Sequence, residues 1–245
     1  MKALKGKLVM REKTVKIGDD REVIYTKSHW SSLHALRKKA LNIVKSLREY
    51  DIESFVHGSL ARGDVTSKSD VDIVILQRIP SYKIELILQE KYNVYSKQII
   101  QATPNHSIKG HIHLDESTTI TFPLARYSNR EYEFYKFGGL ITLQELEENK
   151  RVPGVNKKLL LIQPTDKGHI EFPILNQEER ARKILNVEPS IIRERITVLL
   201  KRDRYGRTGI FLNRMLAPHE GFEEVLKQLA DENPAVRRRY LDDGI

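Results

Sequence analysis

The chain has 245 residues and 28.5 kDa, with 40% hydrophobic and 31% charged residues, a net charge of +9 and no cysteine. That balance fits a globular chain of one large or two modest domains, and it excludes disorder, disulfides, thiol catalysis and Cys-ligated zinc. The longest apolar runs, such as 73–76 and 159–162, fall far short of the ~20 residues of a spanning helix. The basic start lacks the apolar stretch of a secretory leader. The expectation is a cytoplasmic protein without a membrane partner.

The charge is uneven. Residues 1–50 hold 13 Lys and Arg against 5 Asp and Glu, and a smaller surplus follows at 180–207. Such surfaces suit nucleic acid or nucleoside triphosphates, although a solvated helix face reads the same way.

In chain order, residues 30–50 space Leu33, Leu36, Leu41, Ile43, Val44 and Leu47 among basic residues, as on an amphipathic helix. A short strand at 54–56 leads into Gly58-Ser59. The β-branched run 71–76 ends at Pro80, where a helix of sequence SYKIELILQEK can begin. Residues 94–101, 108–114 and 118–122 read as strands. The acidic segment LQELEEN then gives way to KRVPG, a turn-rich candidate linker. The spacing predicts an α/β (α+β) protein of two domains, 1–148 with a mixed sheet and 149–245.

The informative stretch is VHGSLARGDVTSKSDVDIVIL at 56–76, where a strand ends at Gly-Ser and a second strand opens with Asp-x-Asp. Carboxylates at i and i+2 on a strand point to one face, so Asp70 and Asp72 can share a cation. Oxygen ligands favour Mg2+ or Mn2+ over zinc. Gly58 lets backbone approach a phosphate, and Ser59 offers a hydroxyl. A short helix from Leu60 would aim free N–H groups at that phosphate. Arg62 carries a fork matched to phosphate oxygens and, with Lys68, is a candidate nucleotide contact; plain surface charge is the alternative. Asp64 reads as a turn former and His57 as packing.

This stretch resembles the signature of the DNA polymerase beta-like nucleotidyltransferase superfamily, and within it the minimal-nucleotidyltransferase branch. The agreement is close over 56–76 and topological over 29–125. The resemblance implies two-metal transfer of a nucleoside monophosphate, ATP being the expected donor, to an acceptor hydroxyl with release of pyrophosphate. It also implies a third carboxylate on a neighbouring strand. Asp115, at the end of GHIHLDES, is the candidate, with Glu116 as competitor and His111 and His113 on the same face. A protein acceptor is a further reading, because small members resembling this chain adenylylate proteins, and RNA 3′ ends and small hydroxylated molecules stay open beside it.

In the second half, LLLIQ and HIEFPIL form a hairpin across PTDKG. Residues 178–200 fit a helix-turn-helix with Asn186 at the left-handed turn position and Pro189 opening the second helix. RDRYGRTGIFL can form the wing of a winged helix. Outward Arg193, Arg195, Arg204 and Arg207 are then candidate contacts to DNA or RNA. A DNA-binding regulator with a nucleotide-sensing or inactive nucleotidyltransferase domain is the alternative function. The final NPAVRRRYLDDGI reads as a solvated tail.

Overall fold

The computed structural model describes residues 14–206 and 209–241, so the basic start and Arg207 lie outside the described residues. Strand β1 (Arg21–Ile24) leads through Thr26, whose hydroxyl accepts the His29 amide, into α1 (Lys27–Arg48). Leu33, Ala40, Ile43, Val44 and Leu47 line the buried stripe of that helix. Next come β2 (Phe55–His57), the single turn α2 (Ser59–Arg62), β3 (Val71–Val74) and α3 (Ser81–Lys91). The antiparallel run β4 (Ser96–Gln101), β5 (Lys109–Asp115) and β6 (Thr118–Pro123) follows. In α4 (Asn129–Gly138), the Glu131 carboxylate accepts the backbone N–H and hydroxyl of Ser128 just ahead of the helix. After β7 (Leu140–Ile141), Thr142 and Glu145 exchange such bonds at the start of α5 (Leu143–Glu147).

The remainder comprises β8 (Gly154–Val155), β9 (Leu160–Thr165), β10 (Gly168–Pro173), α6 (Glu178–Leu185), α7 (Pro189–Tyr205), β11 (Leu212–Leu216), α8 (Phe222–Glu232) and α9 (Pro234–Leu241). The helix pair α6 and α7 forms as the pattern predicts. Asn186 takes φ 49°, Pro189 opens α7, and Ala181, Leu185, Ile192 and Leu199 are buried.

Among the described residues the strands make two sheets in a mixed α/β protein. The larger has the order β11-β4-β5-β6-β3-β2-β7, with β3 and β6 parallel and the other neighbours antiparallel. The smaller, β1-β10-β9-β8, is antiparallel throughout. One face of the larger sheet, carrying Val71, Ile73, Ile99, Ile112 and Ile120, is buried in the main core with α1, α3 and α8. The opposite face carries Asp72.

Four expectations change. The boundary at 148 does not separate the sheets, because β1 pairs with β10 and β11 pairs with β4. Of the segment expected as a wing, residues 202–205 end α7 and 209–211 lead into β11, while 207–208 lie outside the described residues, so no winged helix is formed among the described residues. The expected tail contains α9, with Val236 fully buried in the main core. The candidate linker is pinned, since Arg151 donates to the carbonyls of Gly168 (2.8 Å) and Thr165 (2.5 Å). The changes at β11 and α9 share a cause: apolar surface that short-range patterns treat as local finds its partner across the chain.

Candidate active site

The turn after β2 is built on Gly58, whose φ of +79° favours a residue without Cβ. Its N–H donates to the Gly139 carbonyl at 2.9 Å, which holds the turn from behind. A Cβ at Gly58 would come 4.0 Å from an Asp72 carboxylate oxygen, so this backbone lies directly against the acidic strand. His57 and Asp72 are paired neighbours across β2 and β3. Ser59 donates to the Ser69 hydroxyl at 3.3 Å, and Ser69 accepts the Thr66 amide at 2.9 Å, which folds the polar loop back onto Gly-Ser.

Asp70 stands one residue ahead of β3 and Asp72 is its second residue; both are exposed. Surrounding protein, and then the charge of Asp70, raise the pKa of Asp72, while Lys157 acts in the opposite direction. A like-charge pair in this setting could hold a hard divalent cation. Lys157 lies in the turn between β8 and β9, exposed and close enough for Asp72 to feel its charge. Nothing in the local sequence around Lys157 pointed to it, because the second sheet brings it there.

The structure places the other expected residues differently. Arg62 is buried, with its guanidinium forked onto Asp64 (2.9 and 3.1 Å) and donating to the Gly138 carbonyl (2.5 Å). It therefore holds the loop instead of facing a phosphate, and Asp64 is its ion partner as well as a turn residue. Lys68 is exposed on the loop. Asp115 is turned away from the pair. A register shift between His113 and Asp115 sets Asp115 opposite Thr118, which pairs with Val71 of the buried face. There Lys39 of α1 meets it at 2.7 Å, and the amide and hydroxyl of Ser117 donate to it at 2.9 Å. Partial burial alone would raise its pKa, but these donors win and hold it well below the carboxylate range. Glu116 is exposed in the turn beyond. Among the described residues, no three His, Asp or Glu side chains are grouped to hold a metal ion, so the expected third carboxylate is not assembled.

His111 and His113 do share the face of Asp72. Burial pushes His111 down to about 3 and lowers His113, so both imidazoles are neutral at physiological pH. His57 packs on Phe134 and Tyr135 of α4 and contacts the Gly139 carbonyl at 2.9 Å, as a packing role predicts. Of the arginines expected on a nucleic-acid surface, Arg193 and Arg204 are exposed. Arg195 is instead half-buried, its guanidinium 4.9 Å from the centre of the Phe134 ring.

Behind the turn, the two sheets meet at glycines. A Cβ on Gly154 would lie 2.6 Å from the Gly139 nitrogen and 2.8 Å from the Arg62 side chain. The second sheet thus buttresses the segment that holds Gly58.

Residues 37–140 match the family model of the nucleotidyltransferase domain. The match runs from within α1 to the start of β7 and includes Gly58, Ser59, Asp70 and Asp72. It supports nucleotidyl transfer as the general chemistry. No curated protein and no solved structure matches the chain.

Proposed function

We propose that the protein transfers a nucleoside monophosphate from a nucleoside triphosphate, ATP in the first instance, to an acceptor hydroxyl. The observation that carries this reading is the exposed Asp70–Asp72 pair set against the Gly58-Ser59 turn inside the matching segment. Asp70 and Asp72 would hold Mg2+ or Mn2+, which when bound neutralises charge on the triphosphate. The backbone at Gly58 and the Ser59 hydroxyl receive phosphate oxygens, while Lys157 and Lys68 offset the remaining charge. Arg62 positions the turn through Asp64 and the Gly138 carbonyl. In the transfer, the acceptor oxygen bonds to the α-phosphorus and the bond from that phosphorus to the bridging oxygen breaks. Pyrophosphate leaves with the electron pair, and the hydroxyl proton passes to solvent. Asp115, paired with Lys39, has no part in this step.

The test incubates the protein and its Asp72→Asn variant with each α-labelled nucleoside triphosphate, Mg2+ or Mn2+ and a cell extract. Label on an acceptor with the wild type and none with the variant is the expected result. Equal labelling by both, or none by either, removes the proposal.

A further inference from the structure

Behind the Gly58-Ser59 turn lie two arginines that the transfer reading does not use. Arg37, on the inward stripe of α1, is only 5% exposed. Its guanidinium donates to the Leu60 carbonyl at 3.1 Å and to the Lys150 carbonyl at 2.5 Å, and its Nε–H is buried without a partner. Leu60 follows Ser59 directly, so this charge is fixed on the inner side of the turn. Arg151, half-buried in the segment after α5, packs at the other end of α2, where a Cβ on Gly63 would lie 2.6 Å from its side chain. Its guanidinium stands 5.6 and 4.8 Å from the centres of the Tyr25 and Trp30 rings and donates to the carbonyls of Thr165 and Gly168.

Charge around α2 is therefore unbalanced. Arg62 takes both oxygens of Asp64. Among the described residues, no other carboxylate bonds any of the three arginines, so Arg37 and Arg151 end on carbonyls and rings alone. Burial, and then the charge of Arg151, push the pKa of Arg37 down to about 10, and no carboxylate acts against them. The group is still a cation at physiological pH. A buried charge costs stability unless an opposite charge offsets it, and carbonyl dipoles do so only in part. Away from water and salt, such a charge is also felt over a longer distance than one in solvent. An anion seated on the turn in front of Arg37 would offset it.

We propose that Arg37, supported by Arg151, selects the donor by its phosphate charge, raising affinity for a nucleoside triphosphate over the diphosphate and monophosphate without touching it. The inference rests on the transfer reading above and deepens it by naming what favours a triphosphate at that turn. Arg37 is a positioning residue: it holds α2 through the Leu60 carbonyl and acts on the phosphates through the field of its charge.

The experiment measures binding of ATP, ADP and AMP, with Mg2+ and no acceptor, by calorimetry to wild type, Arg37→Lys and Arg37→Gln. Glutamine still donates to a carbonyl but carries no charge, whereas lysine keeps the charge and gives up the fork. Arg37→Gln is expected to lose about tenfold in ATP affinity, less for ADP and least for AMP, while Arg37→Lys stays within about threefold of wild type. A loss equal for the three nucleotides, or a lysine variant that loses as much as the glutamine one, makes Arg37 a structural clamp and overturns the proposal. Unfolding midpoints show whether each variant is folded. If neither Arg37 variant folds, Arg151→Gln decides: a loss graded with phosphate number supports the proposal, and an ungraded loss or none overturns it. The two readings fail separately. Graded binding with no label ever transferred removes the transfer reading and leaves the charge assignment standing. Transfer of label with an ungraded loss does the reverse.

Discussion

Strands β3 and β5 lie two places apart in one sheet, and each bears an aspartate at an end, yet the two carboxylates are used in opposite ways. Through Asp70 and the start of β3 the alternation is unbroken, so Asp70 and Asp72 stay together on the open side, where Asp72 feels the charge of Lys157. On β5 one extra residue in the ladder turns Asp115 to the helix side, where Lys39 and Ser117 satisfy it. The protein environment disfavours charge on Asp72 and favours it on Asp115. A destabilised carboxylate is available to a cation, whereas a satisfied one belongs to the fold.

The largest expected effect breaks that comparison if it fails. Asp72→Asn should lower transfer by on the order of 10²–10³, while Asp115→Asn leaves it within about threefold, less than 1 kcal/mol. Initial rates under saturating triphosphate decide it, and equal losses would return Asp115 to the site. Next comes the buttress of the β3 region. Gly154→Ala places a methyl 2.6 Å from the Gly139 nitrogen, and Gly139 accepts from Gly58. A cost of about 1–3 kcal/mol in urea unfolding is expected, together with reduced transfer.

Smaller effects test the signs. The Asp115 pKa is depressed on folding, so its stabilisation is present above the ordinary carboxylate value and is lost as pH falls through that value toward the folded one. Both partners are well exposed, so Asp115→Asn should cost only about 0.5 kcal/mol at pH 7, and the difference should vanish in acid. Asp72 behaves in reverse, because its raised pKa makes the cation-free fold less stable once pH rises past the folded value. Asp72→Asn should therefore slightly raise the cation-free unfolding midpoint at pH 7, with the gain shrinking on acidification. Added Mg2+ should stabilise wild type more than the variant. Differential scanning fluorimetry across pH, with and without Mg2+, checks both signs.

Much of the first half was legible in the sequence because its signals are local. The apolar stripe of α1, the β-branched run of β3 and the turn chemistry at Gly58 each declare themselves within a few residues. Asp70 and Asp72 were legible for the same reason, since period two over three residues leaves little room for error. Asp115 was not, because a single-residue bulge reverses the face and leaves no clear mark in the sequence HIHLDES. Arg62 looked like a phosphate fork until burial supplied Asp64 and a carbonyl as its partners. The basic hairpin read as a wing failed because Leu212 and Leu216 reach the main core through pairing with β4.

The sequence by itself determined the acidic pair, the glycine turn beside it, the helix pair around Asn186 and the mixed α/β class, because each rests on propensity and periodicity over short spans. Tertiary structure alone decided which charged groups surround that pair. It brought Lys157 near Asp72, gave Asp115 to Lys39 and closed Arg62 onto Asp64. It also joined β1 to β10 and β11 to β4 across more than a hundred residues. The physical reason is that burial and charge pairing are properties of neighbours in space, and a strand's neighbours are chosen by the apolar surface the whole chain must hide.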